Sequence, residues 1–194
     1  MPLTTYSAGE ILTAASLNAN LSFASSNGGL VCVKAETAFT SVSSITADNV
    51  FTSAYTNYRI LLRYFCSTTG DVDMKFRVAT VDTSANYNYQ RITASSTTIS
   101  TLNTNGSASA QIGQDTDGTF FSLSTIEISG VQLAEPTNYQ SLNTRTLANY
   151  TTGAGLQQFF GNQSDSTAFD GIKVLVSTGT FTGTYAIYGY SKTV

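Results

Sequence analysis

Apolar positions recur with a period of two through most of this chain, and at helical spacing in one short stretch near its start. The clearest alternation runs from Asn57 to Cys66. Tyr58, Ile60, Leu62, Tyr64 and Cys66 fall on one side of an extended segment there, and Arg59, Leu61, Arg63 and Phe65 fall on the other. The first set is wholly apolar or aromatic, so it predicts a central strand of an antiparallel sandwich with that face on the core. Met74, Phe76 and Val78 alternate again after the turn signal Thr68-Thr69-Gly70-Asp71, which predicts a hairpin between the two strands. Residues 30–35, 120–128, 139–150, 156–161, 172–176 and 185–190 read as further strands, with a phase shift between Leu123 and Ile126 that predicts a bulge. Residues 82–118 are dominated by Ser, Thr, Asn and Gly and read as irregular.

The total is about eight strands separated by polar turns, which predicts an all-β, antiparallel β-sandwich of jelly-roll-like form. No helix-length pattern interrupts the strands, which excludes a parallel α/β sheet. Residues 5–27 differ. Ala14, Leu17, Leu21 and Ala24 form a narrow stripe at helical spacing, and Thr13 has the chemistry of an N-cap. The pattern predicts an extended arm leading into a short helix, which Asn27-Gly28-Gly29 then breaks. So short a helix is marginal alone and needs a partner surface. Two units follow: an arm and helix over 1–28, and a β-sandwich over 29–194.

Composition narrows the function classes. The 194 residues are 41% hydrophobic, enough for a core. Only 11% are charged, against a usual ~25%, so hydroxyls and amides supply the polar surface. The nine basic residues are scattered and the net charge is −3, with no basic stripe interleaved with aromatics; this argues against nucleic-acid binding. No apolar run reaches the length of a membrane span, and the N-terminus lacks the pattern of a signal peptide. Cys32 and Cys66 each fall in a predicted strand; two buried free thiols are expected, with a cross-strand disulfide as the alternative.

The segment Tyr6-Ser7-Ala8-Gly9-Glu10-Ile11-Leu12-Thr13-Ala14-Ala15-x-Leu17-Asn18 resembles one found at the start of tailed-bacteriophage virion proteins of the tail-fibre and head-fibre kind. The stretches Gly29-Leu30-Val31, 51–60 and Tyr185-Ala186-Ile187-Tyr188-Gly189-Tyr190 are similar as well. The resemblance implies a virion structural protein that attaches to the particle through its N-terminal segment and projects a β-rich domain, often as a homotrimer. Its partners would be copies of itself, other virion proteins of the tail or capsid, and a host-surface glycan. It also implies location on the virion and release by lysis. Ile11, Leu12, Leu17 and Leu21 are the residues expected to carry attachment or oligomerisation. A tail-associated fibre or receptor-binding module is the first expectation, a capsid decoration or cement protein the alternative, and a surface-polysaccharide hydrolase a minor one.

Histidine is absent, which removes Ser-His-Asp and Cys-His catalysis and the usual zinc sites, so neither a metal nor a cofactor is expected. A glycosidase needs two carboxylates across a cleft. The closest couples, Asp71 with Asp73 and Asp115 with Asp117, read more simply as turn carboxylates, and Gln114-Asp115-Thr116-Asp117-Gly118 lacks the downstream Glu of a calcium loop. The chain therefore reads as non-enzymatic. Tyr87, Tyr89 and Gln90 are the candidate ligand residues, because aromatic rings beside amides suit a sugar-binding surface. The competing reading is that these tyrosines close one end of the sandwich.

Overall fold

The computed structural model describes residue 13 and residues 29–95, 98–115, 120–145 and 155–192. Thirteen strands and no helix occur among the described residues. The first seven are β1 (Leu30–Val42), β2 (Ser44–Ala47), β3 (Asn57–Cys66), β4 (Gly70–Val78), β5 (Val81–Asp82), β6 (Tyr87–Ser95) and β7 (Thr98–Ser107). The rest are β8 (Ala110–Asp115), β9 (Ser122–Ser129), β10 (Thr137–Arg145), β11 (Gly155–Gln163), β12 (Gly171–Val176) and β13 (Phe181–Tyr190). The predicted arm and helix over 1–28, with Ile11, Leu12, Leu17 and Leu21, lie outside the described residues apart from Thr13.

Every strand pairing is antiparallel. One sheet of eight runs β1-β13-β3-β9-β10-β11-β6-β7. The second runs β2-β12-β4, with β8 and β5 paired in succession along the other edge of β4. In β3 the alternation is realised as predicted: Tyr58, Ile60, Leu62, Tyr64 and Cys66 are buried, and Leu61 and Arg63 are exposed.

Three expectations are corrected. The predicted hairpin between 57–66 and 74–78 does not form, because β3 pairs with β13 and β9 whereas β4 pairs with β12, β5 and β8. The two strands belong to different sheets and bury their apolar faces in one shared core. Two strands with one apolar face each satisfy that arrangement as well as an edge-to-edge one, and alternation alone does not tell them apart. The predicted bulge is absent too: β9 pairs with β3 and β10 in unbroken register, with Ser122 and Ser124 buried and Leu123 exposed. The strand count rises from about eight to thirteen chiefly because 82–118, expected to be irregular, holds β6, β7 and β8. Of these, β7 is exposed along almost its whole length and carries no apolar alternation to read.

The centre of the core is aromatic. Phe76 stacks on Phe169 at 5.1 Å and on Tyr87 at 6.2 Å, and meets Phe51 edge-on at 6.4 Å; Phe51 in turn meets Tyr58 at 4.8 Å. Fully burying each such ring is worth roughly 1.5–3 kcal/mol. The phenol of Tyr58 ties down the entry to β3, accepting from Thr52 N at 2.7 Å and donating to Thr52 O at 2.9 Å. At the end of β4, Ala79 and Thr80 both have positive φ, the geometry of a two-residue type I′ hairpin turn. Ala79 N donates to Asp170 Oδ2 at 3.0 Å, and the Arg77 guanidinium holds Thr80 O and Asp82. Both cysteines are free: Cys66 is buried, as expected, but Cys32 is exposed.

Candidate functional site

The outward face of the eight-stranded sheet holds a trough of about 880 Å³. It lies at the end of the sheet where β3 begins and β13 finishes. Residues directly opposite in antiparallel strands point to the same side, so register alone assembles the site. One row crosses seven strands as Asn103, Gln90, Phe160, Gln140, Glu127, Arg59 and Tyr188. A second row beside it runs Asn88, Asn162, Asn138, Ser129 and Asn57. Arg59 and Tyr188 continue the first row beyond the trough, whose lining Tyr190 and Asn105 extend.

Most of these groups are carboxamides, which donate and accept at once. Asn88 Nδ2 donates to Asn162 Oδ1 at 3.0 Å, and Gly106 N donates to Asn88 Oδ1 at 3.0 Å, so this pair is locked in place. Gly161 permits the close approach of β11 to β6 that brings the pair together, since a Cβ there would collide with Asn88 O. The side chains of Asn57, Gln90, Asn103, Asn138 and Gln140 are exposed and make no hydrogen bond among the described residues. Phe160, half-buried, sits in the middle of the first row.

Glu127 is the one carboxylate lining the trough among the described residues. Arg59, opposite it on β3, donates from Nε to Glu127 Oε1 at 2.5 Å. The Tyr190 hydroxyl donates to the same carboxylate, 2.9 Å from Oε2, and the Arg59 guanidinium stands 5.7 Å from the Tyr190 ring centroid. The bond to Glu127 raises the pKa of Arg59, while burial, reinforced by the bond to Glu127, raises that of the Tyr190 phenol. The result is a closed ion pair with a hydroxyl on it.

The residues predicted from the sequence divide. Gln90 and Tyr89 line the trough, Gln90 exposed and Tyr89 half-buried. Tyr87 is wholly buried and belongs to the core: Phe76 N donates to its hydroxyl at 2.6 Å, and burial pushes its pKa up to about 12. Asn103, Asn138, Gln140, Phe160, Asn162, Glu127 and Tyr190 were missed by sequence reasoning. A signal was available: Asn88-x-Gln90, Asn103-x-Asn105, Asn138-x-Gln140 and Phe160-x-Asn162 repeat one two-residue step in four strands.

Of the acidic couples, Asp71, Asp73 and Asp115 are each engaged in hydrogen bonds. Asp71 accepts from the amides of Gln111 at 2.7 Å and Gln114 at 3.0 Å, Asp73 accepts from Ser109 Oγ at 2.8 Å, and buried Asp115 accepts from Cys66 N at 2.6 Å. Burial raises the pKa of Asp73. Asp117 lies outside the described residues. Among the described residues, no three His, Cys, Asp or Glu side chains gather as a metal site, and no helix is long and apolar enough to cross a membrane. Comparison of the chain with family models, with curated proteins and with solved structures finds no match.

Proposed function

We propose that this chain is a non-enzymatic structural protein of a phage virion, a tail-associated fibre or receptor-binding module that holds a host-surface saccharide in the trough. The observation that carries the recognition role is the pair of amide rows on one sheet face, with Phe160 among them. Hydroxyl-rich ligands are matched by groups that donate and accept together, and a ring offers a flat apolar surface to the C–H face of a sugar. Among the described residues one carboxylate lines the trough, held by Arg59 and Tyr190, whereas hydrolysis of a glycosidic bond calls for two carboxylates in position. The virion assignment rests on the resemblance of the N-terminal segment, which also implies a homotrimer attached through residues 1–28.

A jelly roll is the topology we infer for the sandwich. Two half-sheets support it, β1-β13-β3-β9 and β2-β12-β4-β8, in which the chain passes repeatedly from one sheet to the other. The hairpins β6–β7 and β10–β11 are then additions to one edge.

Gold-labelled antibody to the chain, applied to intact particles and viewed by electron microscopy, tests the virion reading. Label confined to tails is the expected result. Label spread regularly over heads would replace it with a capsid decoration protein, and unlabelled particles would remove the virion assignment.

A further inference from the structure

Resting on the saccharide reading above, we infer that the ligand is an uncharged polysaccharide laid across the strands, and that Glu127 is the residue that enforces this choice. Adjacent strands lie ~4.8 Å apart, so the row from Asn103 through Gln140 offers a side chain at steps comparable to one sugar unit. The free groups along it are carboxamides, which pair with hydroxyls in either sense and carry no charge.

An anionic sugar would need a cation at the trough. Arg59 is the cation in the row, and its Nε is engaged by Glu127. The same carboxylate is capped by the Tyr190 hydroxyl, 3.1 Å from Oε1 and 2.9 Å from Oε2, so the Glu127 charge is matched by Arg59 and both its oxygens are engaged. A uronate or sulfated sugar entering there would meet the Glu127 charge before any free positive one. A cationic ligand fares no better, because the Glu127 charge is already compensated. Charge selection in this trough thus works by cancellation.

The test uses the full chain on an array of uncharged gluco-, galacto-, manno- and N-acetylhexosamine oligomers beside uronate, sialylated and sulfated ones. Three proteins are compared: the parent, Gln90→Ala/Gln140→Ala and Glu127→Gln. The altered side chains are exposed or half-buried on the sheet surface, and circular dichroism confirms that each variant is folded. The parent should bind uncharged members alone. The double alanine variant should bind them roughly tenfold more weakly, having lost two hydrogen-bonding groups. Glu127→Gln should acquire binding to anionic members, since it releases the Arg59 charge. Parent binding to anionic members, or a Glu127→Gln variant with unchanged preference, overturns the charge inference while leaving the saccharide reading in place. Undiminished binding by the double alanine variant places the ligand elsewhere and overturns the inference. If no oligomer of either kind is retained, the saccharide reading fails with it.

Discussion

The buried face of the eight-stranded sheet is made of two different materials. Under β13 and β3 it is aliphatic and aromatic: Ile60, Leu62, Tyr185 and Ile187 pack against Ile45, Ile172 and Val174 of the second sheet. Under β10 and β11 it is largely polar, with Thr137, Ser141, Asn143, Gln157 and Gln163 all buried. Ser141 Oγ donates to Ile112 O at 2.6 Å, and Asn143 Nδ2 donates to Tyr64 OH and to Ser124 Oγ, each at 3.0 Å. Gln157 Nε2 donates to Gln114 Oε1 at 3.1 Å. The first half is held by area removed from water, which is non-directional. The second is held by specific pairs at Ser141, Asn143 and Gln157, each worth only about 0.5–1.5 kcal/mol net but costly to break on one side. Thr137 Oγ1, Asn143 Oδ1 and Gln157 Oε1 are buried there with no hydrogen-bond partner among the described residues. The same sheet therefore tolerates change differently along its width.

The comparison breaks first, if it breaks, at Leu62. Leu62→Ala truncates a fully buried side chain of β3 and should cost about 2–5 kcal/mol in urea unfolding. Asn143→Ala should cost less, about 1–3 kcal/mol, through the partners it strands at Tyr64 and Ser124. An Asn143 variant more damaging than Leu62→Ala would show that the two halves do not differ in the way described.

Base sharpens the contrast. Burial raises the pKa of the Tyr87 phenol from 10 to about 12, so above pH 10 the unfolded chain releases a proton that the folded chain retains. Stability should fall as pH rises from about 10 to about 12, and Tyr87→Phe should show a shallower fall in denaturant midpoint across that window. An unchanged slope in the variant would assign the alkaline loss to other groups.

The smallest expected effect is a gain. Thr80 is β-branched and holds φ 74°, a left-handed conformation that costs such a residue energy. Thr80→Gly should raise stability by about 1 kcal/mol or less, read as a higher thermal midpoint, because the carbonyl held by Arg77 is kept.

The same contrast explains what could be read from the sequence. The strands of the apolar half and of the sheet facing it announce themselves by alternation: β3, β13, β4 and β12 all fall where the pattern puts them. In the polar half 139–150 and 156–161 read as strands and correspond to β10 and β11, but the phase of the pattern is blurred there and in β9, because Ser and Asn face inward where an apolar residue would mark it. In β9, Leu123 faces out while Ser122 and Ser124 face in, and an apolar-inward rule turns that into a false bulge. Pairing partners were less legible than the strands themselves, as the separation of β3 from β4 shows. The trough was legible at Gln90 and Tyr89 only. Its other members come from strands far apart in sequence, and their common feature is register, which a linear pattern does not contain.

The trough also has a particular genealogy within the chain. Of the side chains that form its two rows up to β10, those on β6, β7, β10 and β11 come from two hairpins lying on the far side of β9 from the apolar core strands. Their outward positions touch neither Phe76 nor the Ile60 cluster. Under the function proposed above, exchanging Gln90, Asn103, Asn138 or Gln140 for other residues would change what the surface recognises while the fold beneath is left as it was. Under that proposal the reading head and the chassis can change at different rates, so variants selected for different saccharides should differ first at alternate positions of these two hairpins.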